Sequence, residues 1–252
     1  MQGNDVSSSS VAPLLEVNDL SAGYRDLVAI RDISLSVHPG KVTVLLGRNG
    51  AGKSTTLLTI AGLAKRTAGQ ILLDGVDITD RPPHVRTALG IALVPENKRI
   101  FRRRTVEENL AIGGYILRRG ERRAAVRNAY DRFPMLHAKR HEPAGGLSGG
   151  QQQMLSIAQA LMPGPRVLML DEPTAGLAPV IVKDVLEILG SIKAEDVGVL
   201  LVEQLVDQAM TVADRVVLLD HGRVQSSAEA DGLHNFEELR NVYLGGRPDD
   251  QP

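Results

Sequence analysis

The sequence has no cysteine, no large excess of either charge and no long uninterrupted apolar run. The lack of cysteine excludes disulfide bonds, thiolate catalysis and cysteine zinc sites. The formal net charge of -1 argues against general nucleic-acid binding, which depends on a marked basic excess. Because no stretch of about 18 apolar residues occurs, the sequence predicts no membrane-spanning helix.

The N-terminal segment has neither the basic region nor the apolar region of a secretory signal peptide. Its small and polar residues predict a disordered tail over residues 1–12. Hydrophobic residues make up 43% of the chain, which is enough for a sizeable core. We therefore expect residues 13–252 to form a single domain.

Short apolar runs alternate with helical patterns, which favours an α/β fold with a largely parallel sheet. Turn-like stretches such as 38–40 separate the first of these runs, which favours an additional antiparallel side sheet. The predicted strands are Leu14–Val17, Ile33–Val37, Val42–Leu46, Gln70–Leu73, Ile91–Val94, Val167–Leu170, Val197–Val202, Arg215–Leu219 and Arg223–Ser226.

The middle of the chain has no strand pattern between about Thr105 and Met162. Thr105 and Glu108 have the spacing of a capping box, and the prolines at 163 and 165 stop a later helix. The sequence therefore predicts a helical subdomain inserted into the α/β core. The predicted bounds are about 13–97 and 163–246 for the core and about 98–162 for the subdomain.

A glycine-rich loop provides the strongest chemical signal. It lies between the predicted strand Val42–Leu46 and a helical pattern over Thr55–Leu63, which is the context that a phosphate-binding loop requires. Its backbone N–H groups would face the phosphates of ATP, Lys53 would reach the β- and γ-phosphates, and Ser54 would bind Mg²⁺. A chance glycine turn is the alternative. The predicted nucleotide-binding residues are Gly47, Arg48, Asn49, Gly50, Ala51, Gly52, Lys53, Ser54 and Thr55.

Two consecutive carboxylates follow the buried strand pattern Val167–Leu170. Asp171 is placed to bind the Mg²⁺ ion, and Glu172 is placed to polarise the attacking water. A strand that merely ends in solvated carboxylates is the alternative, and the nearby phosphate-binding loop favours the catalytic interpretation.

The segment Leu147–Gln151 reads LSGGQ. Ser148 can cap the following helix, with Gln151 closing a capping box. Capping does not explain Gly149 and Gly150, which weaken the start of a helix. Bare N–H groups at a helix N-terminus suit a phosphate, so these four residues are predicted to bind ATP.

These three motifs occur in the order found in the ABC ATPase family, and the chain resembles that family from about Leu14 to Gly246. The resemblance implies a dimer of ATPase domains that encloses two ATP molecules. Each ATP would lie between the phosphate-binding loop of one domain and the LSGGQ segment of the other. Tyr24 matches the aromatic residue that stacks on adenine; a buried core tyrosine is the alternative.

Three positions depart from the general family pattern: Glu96 replaces glutamine, Ala178 replaces aspartate and Gln204 replaces the switch histidine. Together with the closing segment Val242–Gly246, they resemble the smaller ATPase subunit of branched-chain amino-acid uptake systems. Gln204 can donate a hydrogen bond to a γ-phosphate, and it cannot become cationic. Glu96 adds a carboxylate near the Mg²⁺ site; a rim glutamate with no role is the alternative.

The resemblance implies an ATP-hydrolysing subunit of an importer at the cytoplasmic face of the membrane. Its partners would be a second ATPase subunit, two permease subunits and, indirectly, an extracytoplasmic solute-binding protein. The rivals are an exporter such as a lipopolysaccharide system, a soluble ABC ATPase and a P-loop kinase. The motifs leave open the solute, the direction of transport and the choice between a homodimer and a heterodimer.

Overall fold

The computed structural model describes residues 11–24 and 27–230, without the side chain of Tyr24. The predicted tail lies almost wholly outside these residues, and the closing segment Val242–Gly246 lies entirely outside them. The strands are β1 Leu15–Tyr24, β2 Leu27–Val37, β3 Val42–Leu46, β4 Arg66–Leu73, β5 Val76–Asp77, β6 Ile91–Val94, β7 Val167–Asp171, β8 Gly198–Glu203, β9 Arg215–Asp220 and β10 Arg223–Glu229. The helices are α1 Lys53–Ile60, α2 Pro83–Ala88, α3 Val106–Gly113, α4 Arg119–Arg132, α5 Pro134–Ala138, α6 Gly149–Leu161, α7 Pro179–Lys193 and α8 Val206–Met210.

The main sheet has six strands in the order β10-β9-β3-β8-β7-β6. All of its pairings are parallel except that of β10 with β9. Strands β3, β7 and β8 are buried along their whole length, because both faces of the sheet are covered. The carboxyl ends of β3, β7 and β8 lie side by side, since Leu46 pairs with Glu203 and Asp171 pairs with Val202.

The predicted antiparallel side sheet is present and has the order β2-β1-β4-β5. Its strands are longer than the sequence predicts, because β1 continues to Tyr24 and β2 already begins at Leu27. The pairing of β1 shifts register after Val17, and Asp19 adopts a positive φ of 49°. These bulges break the alternation of apolar and polar residues on which the prediction depended.

Two apolar clusters pack against opposite faces of the main sheet. Val44 belongs to the cluster shared with α6 and α7, and its neighbour Leu45 belongs to the cluster shared with the side sheet. This alternation follows from the period of two along a strand. The loop at the end of β3, which is predicted to bind phosphates, therefore follows a strand that is packed on both faces.

The segment between β6 and β7 contains α3 to α6 and no strand, apart from an isolated bridge between Thr105 and Pro143. The predicted capping box at Thr105 is confirmed. Helix α1 begins at Lys53 and ends at Ile60, so the predicted span Thr55–Leu63 was displaced towards the C-terminus. Gly62 has a φ of 75°, which ends the helix before Leu63. Within the described residues, no helix has the length and apolar character needed to span a membrane.

Candidate active site

The glycines of the loop between β3 and α1 allow close backbone packing. A Cβ atom on Gly47 would lie 2.5 Å from the carbonyl oxygen of Leu219, and one on Gly52 would lie 2.5 Å from Cγ2 of Ile30. Gly52 also has a φ of 103°, which a residue with a side chain rarely adopts. The loop thus packs directly against neighbouring strands, and the N-terminus of α1 opens at its end.

Lys53 is the first residue of α1, and only 5% of it is exposed. Its Nζ donates a hydrogen bond to the carbonyl oxygen of Gly47 at 2.7 Å. The same Nζ lies 3.1 Å from Oε1 of Glu172, with which it forms an ion pair. The cation is therefore held inside the loop and next to the predicted catalytic carboxylate.

Ser54 and Asp171 are brought together although they are 117 residues apart in the chain, and the Ser54 hydroxyl donates to Oδ1 of Asp171 at 3.1 Å. Burial raises the pKa of Asp171, and the hydrogen bond from Ser54 lowers it in part. The negative charges of Glu172 and Glu96 raise the pKa further. The hydroxyl oxygen of Ser54 and the carboxylate oxygens of Asp171 lie in a region of negative charge. They are metal ligands of the type that Mg²⁺ prefers.

Glu172 follows β7 in a left-handed backbone conformation with a φ of 45°. Its N–H donates to the carbonyl oxygen of Val202 at 2.9 Å. A residue with a side chain adopts this conformation at a cost, and such strain often occurs at functional sites. In this conformation the Glu172 carboxylate lies next to Lys53 Nζ.

An open cleft of about 620 Å³ lies over the loop. Its lining includes the predicted residues Arg48–Thr55, Glu96 and Glu172. It also includes residues that the sequence analysis missed, namely Leu27, Val28, Ala29 and His221. Leu27 to Ala29 follow Tyr24 closely, so their position next to the predicted adenine contact could have indicated them. His221 lies in the turn between β9 and β10, and no local pattern marks it.

The LSGGQ segment lies elsewhere, since none of residues 148–151 is among the described residues that line the cleft. The predicted capping box of α6 is confirmed. Oγ of Ser148 accepts from the N–H of Gln151 at 3.3 Å, and Oε1 of Gln151 accepts from the N–H of Ser148 at 3.0 Å. The position of Gly149 is open, because an added Cβ atom would meet only Nζ of Lys98, at 3.8 Å.

Gln204 follows β8, is exposed and is not among the residues that line the cleft. Its backbone N–H forms a hydrogen bond with the side chain of Glu203. Ala178 precedes α7 in an extended conformation and supplies no side-chain cap. Tyr24 ends β1, and its predicted contact with adenine depends on a side chain outside the described part of the structure.

The chain is similar to known proteins in sequence and in structure. The sequence profile of the ABC transporter family matches residues 16–175. The high-affinity branched-chain amino acid transport ATP-binding protein BraG of Pseudomonas aeruginosa is 39% identical, over 92% of this chain and 100% of that protein. The lipopolysaccharide export system ATP-binding protein LptB of Haemophilus influenzae is 34% identical, over 92% of this chain and 97% of that protein. The crystal structure of the ADP conformation of MJ1267, an ATP-binding cassette of an ABC transporter, superimposes with a TM-score of 0.80. It is 26% identical and covers 93% of this chain and 100% of that chain.

Proposed function

The chain belongs to the ABC transporter family, and on that basis we propose that it powers an importer of branched-chain or other hydrophobic amino acids. Members of this family bind ATP and hydrolyse it to drive transport. The 39% identity to BraG over nearly the whole length of both proteins carries the proposal of the solute class. The three departures at Glu96, Ala178 and Gln204, which resemble the same branch, agree with it.

We assign ATP binding to the loop Gly47–Thr55 and to the cleft above it. Lys53, held within 2.7 Å of the Gly47 carbonyl oxygen, neutralises part of the charge on the β- and γ-phosphates. The N–H groups at the start of α1 contribute further donors. We assign the adenine contact to Tyr24, whose backbone pairs with that of Leu27, a residue that lines the cleft.

Ser54 and Asp171 fit a Mg²⁺ ion, because a hydroxyl and a carboxylate oxygen already meet at 3.1 Å beside the phosphate-binding loop. When bound, Mg²⁺ offsets the negative charge that develops on the phosphates. The negative charge of Glu96 also acts on Asp171, and we include Glu96 among the residues that bind the ion.

Glu172 acts as the general base that orients and deprotonates the attacking water. Its ion pair with Lys53 holds its carboxylate at the phosphate-binding loop. Gln204 positions the γ-phosphate or the water through a hydrogen bond. Its side chain is a neutral amide, so it takes no part in proton transfer at this step.

The ATP site of a second ATPase subunit is completed by the LSGGQ segment of this chain, through Ser148, Gly149, Gly150 and Gln151. The cleft of one chain contains no part of this segment, and the open position at Gly149 allows a phosphate to approach the helix N-terminus. The assembly would join two ATPase subunits to two permease subunits and, through them, to an extracytoplasmic solute-binding protein. The chain would lie at the cytoplasmic face of the membrane without entering it.

Export of lipopolysaccharide is the rival that the motifs separate least well. The relative named for lipopolysaccharide export is 34% identical, against 39% for the relative named for branched-chain amino acid transport. The difference favours import.

Transport by the reconstituted assembly tests this function. The chain would be purified with candidate permease subunits of the branched-chain amino-acid type from the same organism and placed in liposomes, together with a solute-binding protein of that type. We expect ATP-dependent uptake of labelled leucine, and we expect Lys53→Ala to abolish it. ATPase activity that responds to lipopolysaccharide and not to any amino acid would contradict the proposal of import.

A further inference from the structure

Strand β8 ends in a buried carboxylate that the mechanism above does not use. Glu203 is 3% exposed and follows the apolar run Gly198–Val202. Burial raises the pKa of its carboxyl group, and the nearby negative charge of Glu172 raises it further. Three hydrogen-bond donors act in the opposite direction, namely the Thr174 hydroxyl, the Thr174 N–H and the N–H of Gln204. A buried polar group is tolerated when it is hydrogen-bonded in this way.

The Thr174 hydroxyl connects Glu203 to helix α8. Its Oγ1 lies 2.7 Å from Oε1 of Glu203 and 2.8 Å from Oε1 of Gln208. One hydroxyl proton cannot serve two acceptors. Both contacts are satisfied when the Gln208 amide is turned so that its NH₂ group donates to Thr174, which then donates to Glu203.

This chain of hydrogen bonds joins two segments that carry the proposed reaction. Thr174 lies two residues after Glu172, and Glu203 immediately precedes Gln204. The segments are also joined at the backbone, because Asp171 pairs with Val202 and the Glu172 N–H donates to the Val202 carbonyl oxygen. The side-chain contacts therefore join β7 and β8 beyond the last residues that these two strands pair, Asp171 and Val202.

We propose that Glu203 and Thr174 are positioning residues that hold the loop of Glu172 and the segment of Gln204 in the arrangement needed for hydrolysis. The inference rests on the proposed function, because it assigns roles relative to Glu172 and Gln204. Neither residue lines the cleft over the phosphate-binding loop, so ATP binding should not depend on them. A role in stability alone would instead leave the turnover of the folded protein unchanged.

Thr174→Val tests the proposal, because it removes the hydroxyl and preserves the shape of the side chain. We expect kcat for ATP in the full assembly to fall about 10- to 100-fold, as for the loss of a hydrogen bond to a charged group. The dissociation constant for ATP should stay within about twofold of the wild-type value. Thr174→Ser keeps the hydroxyl and should keep most of the wild-type kcat. Glu203→Gln should also keep most of it, because its amide oxygen can still accept from Thr174.

Thr79→Val is the matched control. Thr79 is also a buried threonine, and its hydroxyl oxygen accepts from the N–H of Ile71 at 2.9 Å in the side sheet. Loss of this hydroxyl in Thr79→Val should lower the urea midpoint of unfolding and leave kcat unchanged. We also expect the double variant Thr174→Val with Glu203→Ala to be within about twofold of the slower single variant, since both remove the same contact.

The outcomes separate this inference from the proposed function. If the wild-type assembly hydrolyses ATP and Thr174→Val keeps its kcat, the positioning role is wrong and the proposed function stands. If Thr174→Val and Thr79→Val lower kcat equally, the fall is not specific to the contact between Thr174 and Glu203, and the positioning role is again wrong. If the wild-type assembly does not hydrolyse ATP, the proposed function is wrong and the inference is overturned with it.

Discussion

Glu172 combines an unusual backbone conformation with a charged side chain that contacts the loop between β3 and α1. It has a positive φ of 45° directly after a fully buried strand, and its carboxylate pairs with Lys53. Glutamine has a similar size and accepts a hydrogen bond through its carbonyl oxygen, but it cannot take up a proton from water. Replacement of Glu172 by glutamine thus tests the chemistry with little change of shape.

Glu172→Gln should bind ATP and lose hydrolysis. Loss of a general base typically lowers the rate about 10²- to 10⁴-fold. Single-turnover hydrolysis and equilibrium ATP binding, measured on the same preparation, check both parts. Turnover close to that of the wild type would refute the role of Glu172 as the base.

Asp171 makes the stability of the nucleotide-free protein depend on pH. Its folded-state pKa is raised above the ordinary value, mainly by burial. The folded state therefore holds this proton at a higher pH than the unfolded state does. This contribution to stability is present below the unfolded pKa and is lost as pH rises through the folded pKa.

Asp171→Asn removes this charge, so its unfolding free energy should fall less with rising pH than that of the wild type. Urea unfolding without magnesium, followed from about pH 4, near the unfolded pKa of an aspartate, up to neutral pH, measures the difference. Parallel pH dependence in the two proteins would contradict the assigned pKa shift. The same variant should also lose Mg²⁺-dependent hydrolysis.

At the scale of secondary-structure elements, Asp214 ties together three neighbours. Its carboxylate accepts from Lys41 at 3.1 Å, from Lys193 at the end of α7 at 2.7 Å and from the N–H of Val42 at 2.8 Å. Burial opposes its charge, but these partners prevail and lower its pKa. The carboxylate thus fixes the starts of β3 and β9 against the end of α7.

Asp214→Ala should destabilise the fold without affecting the chemistry. Loss of hydrogen bonds to a charged group predicts about 1.5–3 kcal/mol less unfolding free energy. Urea titration measures this loss, and ATP affinity serves as the control. Because the folded pKa is lowered, the stabilisation is present above the unfolded pKa and disappears as pH falls through the folded pKa. If Asp214→Ala lowers the unfolding free energy by the same amount at low pH, the stabilisation by Asp214 is not electrostatic.

At the scale of the whole molecule, the parts of the proposed ATP site lie on separate surfaces of one chain. The loop proposed to bind phosphates, Glu96 and Glu172 share one cleft, and the LSGGQ segment lies outside it. The proposed site is complete only when a second ATPase subunit supplies that segment. Binding and hydrolysis should therefore respond differently to changes in Gly149.

Gly149→Asp places a carboxylate where the γ-phosphate of the partner's ATP would dock. The fold should tolerate the change, because a Cβ atom there meets only Lys98 Nζ, at 3.8 Å. We expect ATP binding by the isolated monomer to be unchanged and hydrolysis by the assembly to fall at least about tenfold. Gly120→Asp is the control, since it adds the same charge in open space in the first turn of α4. Unchanged hydrolysis in the Gly149 variant would refute the role of this segment across the dimer.

The sequence by itself determined the features that depend on neighbouring residues. Strands β3 and β6 have the predicted bounds, because short, largely apolar runs of four or five residues with turn residues beside them mark buried strands. The capping boxes at Thr105 and Ser148 could be predicted because each needs only side chains and N–H groups three residues apart. The functional roles of the motif residues remain predictions that the variants above test.

Only the tertiary structure decided which distant residues meet. Ser54 and Asp171 are 117 residues apart, and Thr174 and Glu203 are 29 apart. His221 joins the cleft because β9 pairs with β3, a neighbour that no local pattern identifies. The full length of β1 also depended on its partners, since hydrogen bonds to β2 and β4 continue past bulges that obscure its apolar pattern. Local patterns determine conformation over a few residues, whereas strand order and packing determine which side chains come within bonding distance.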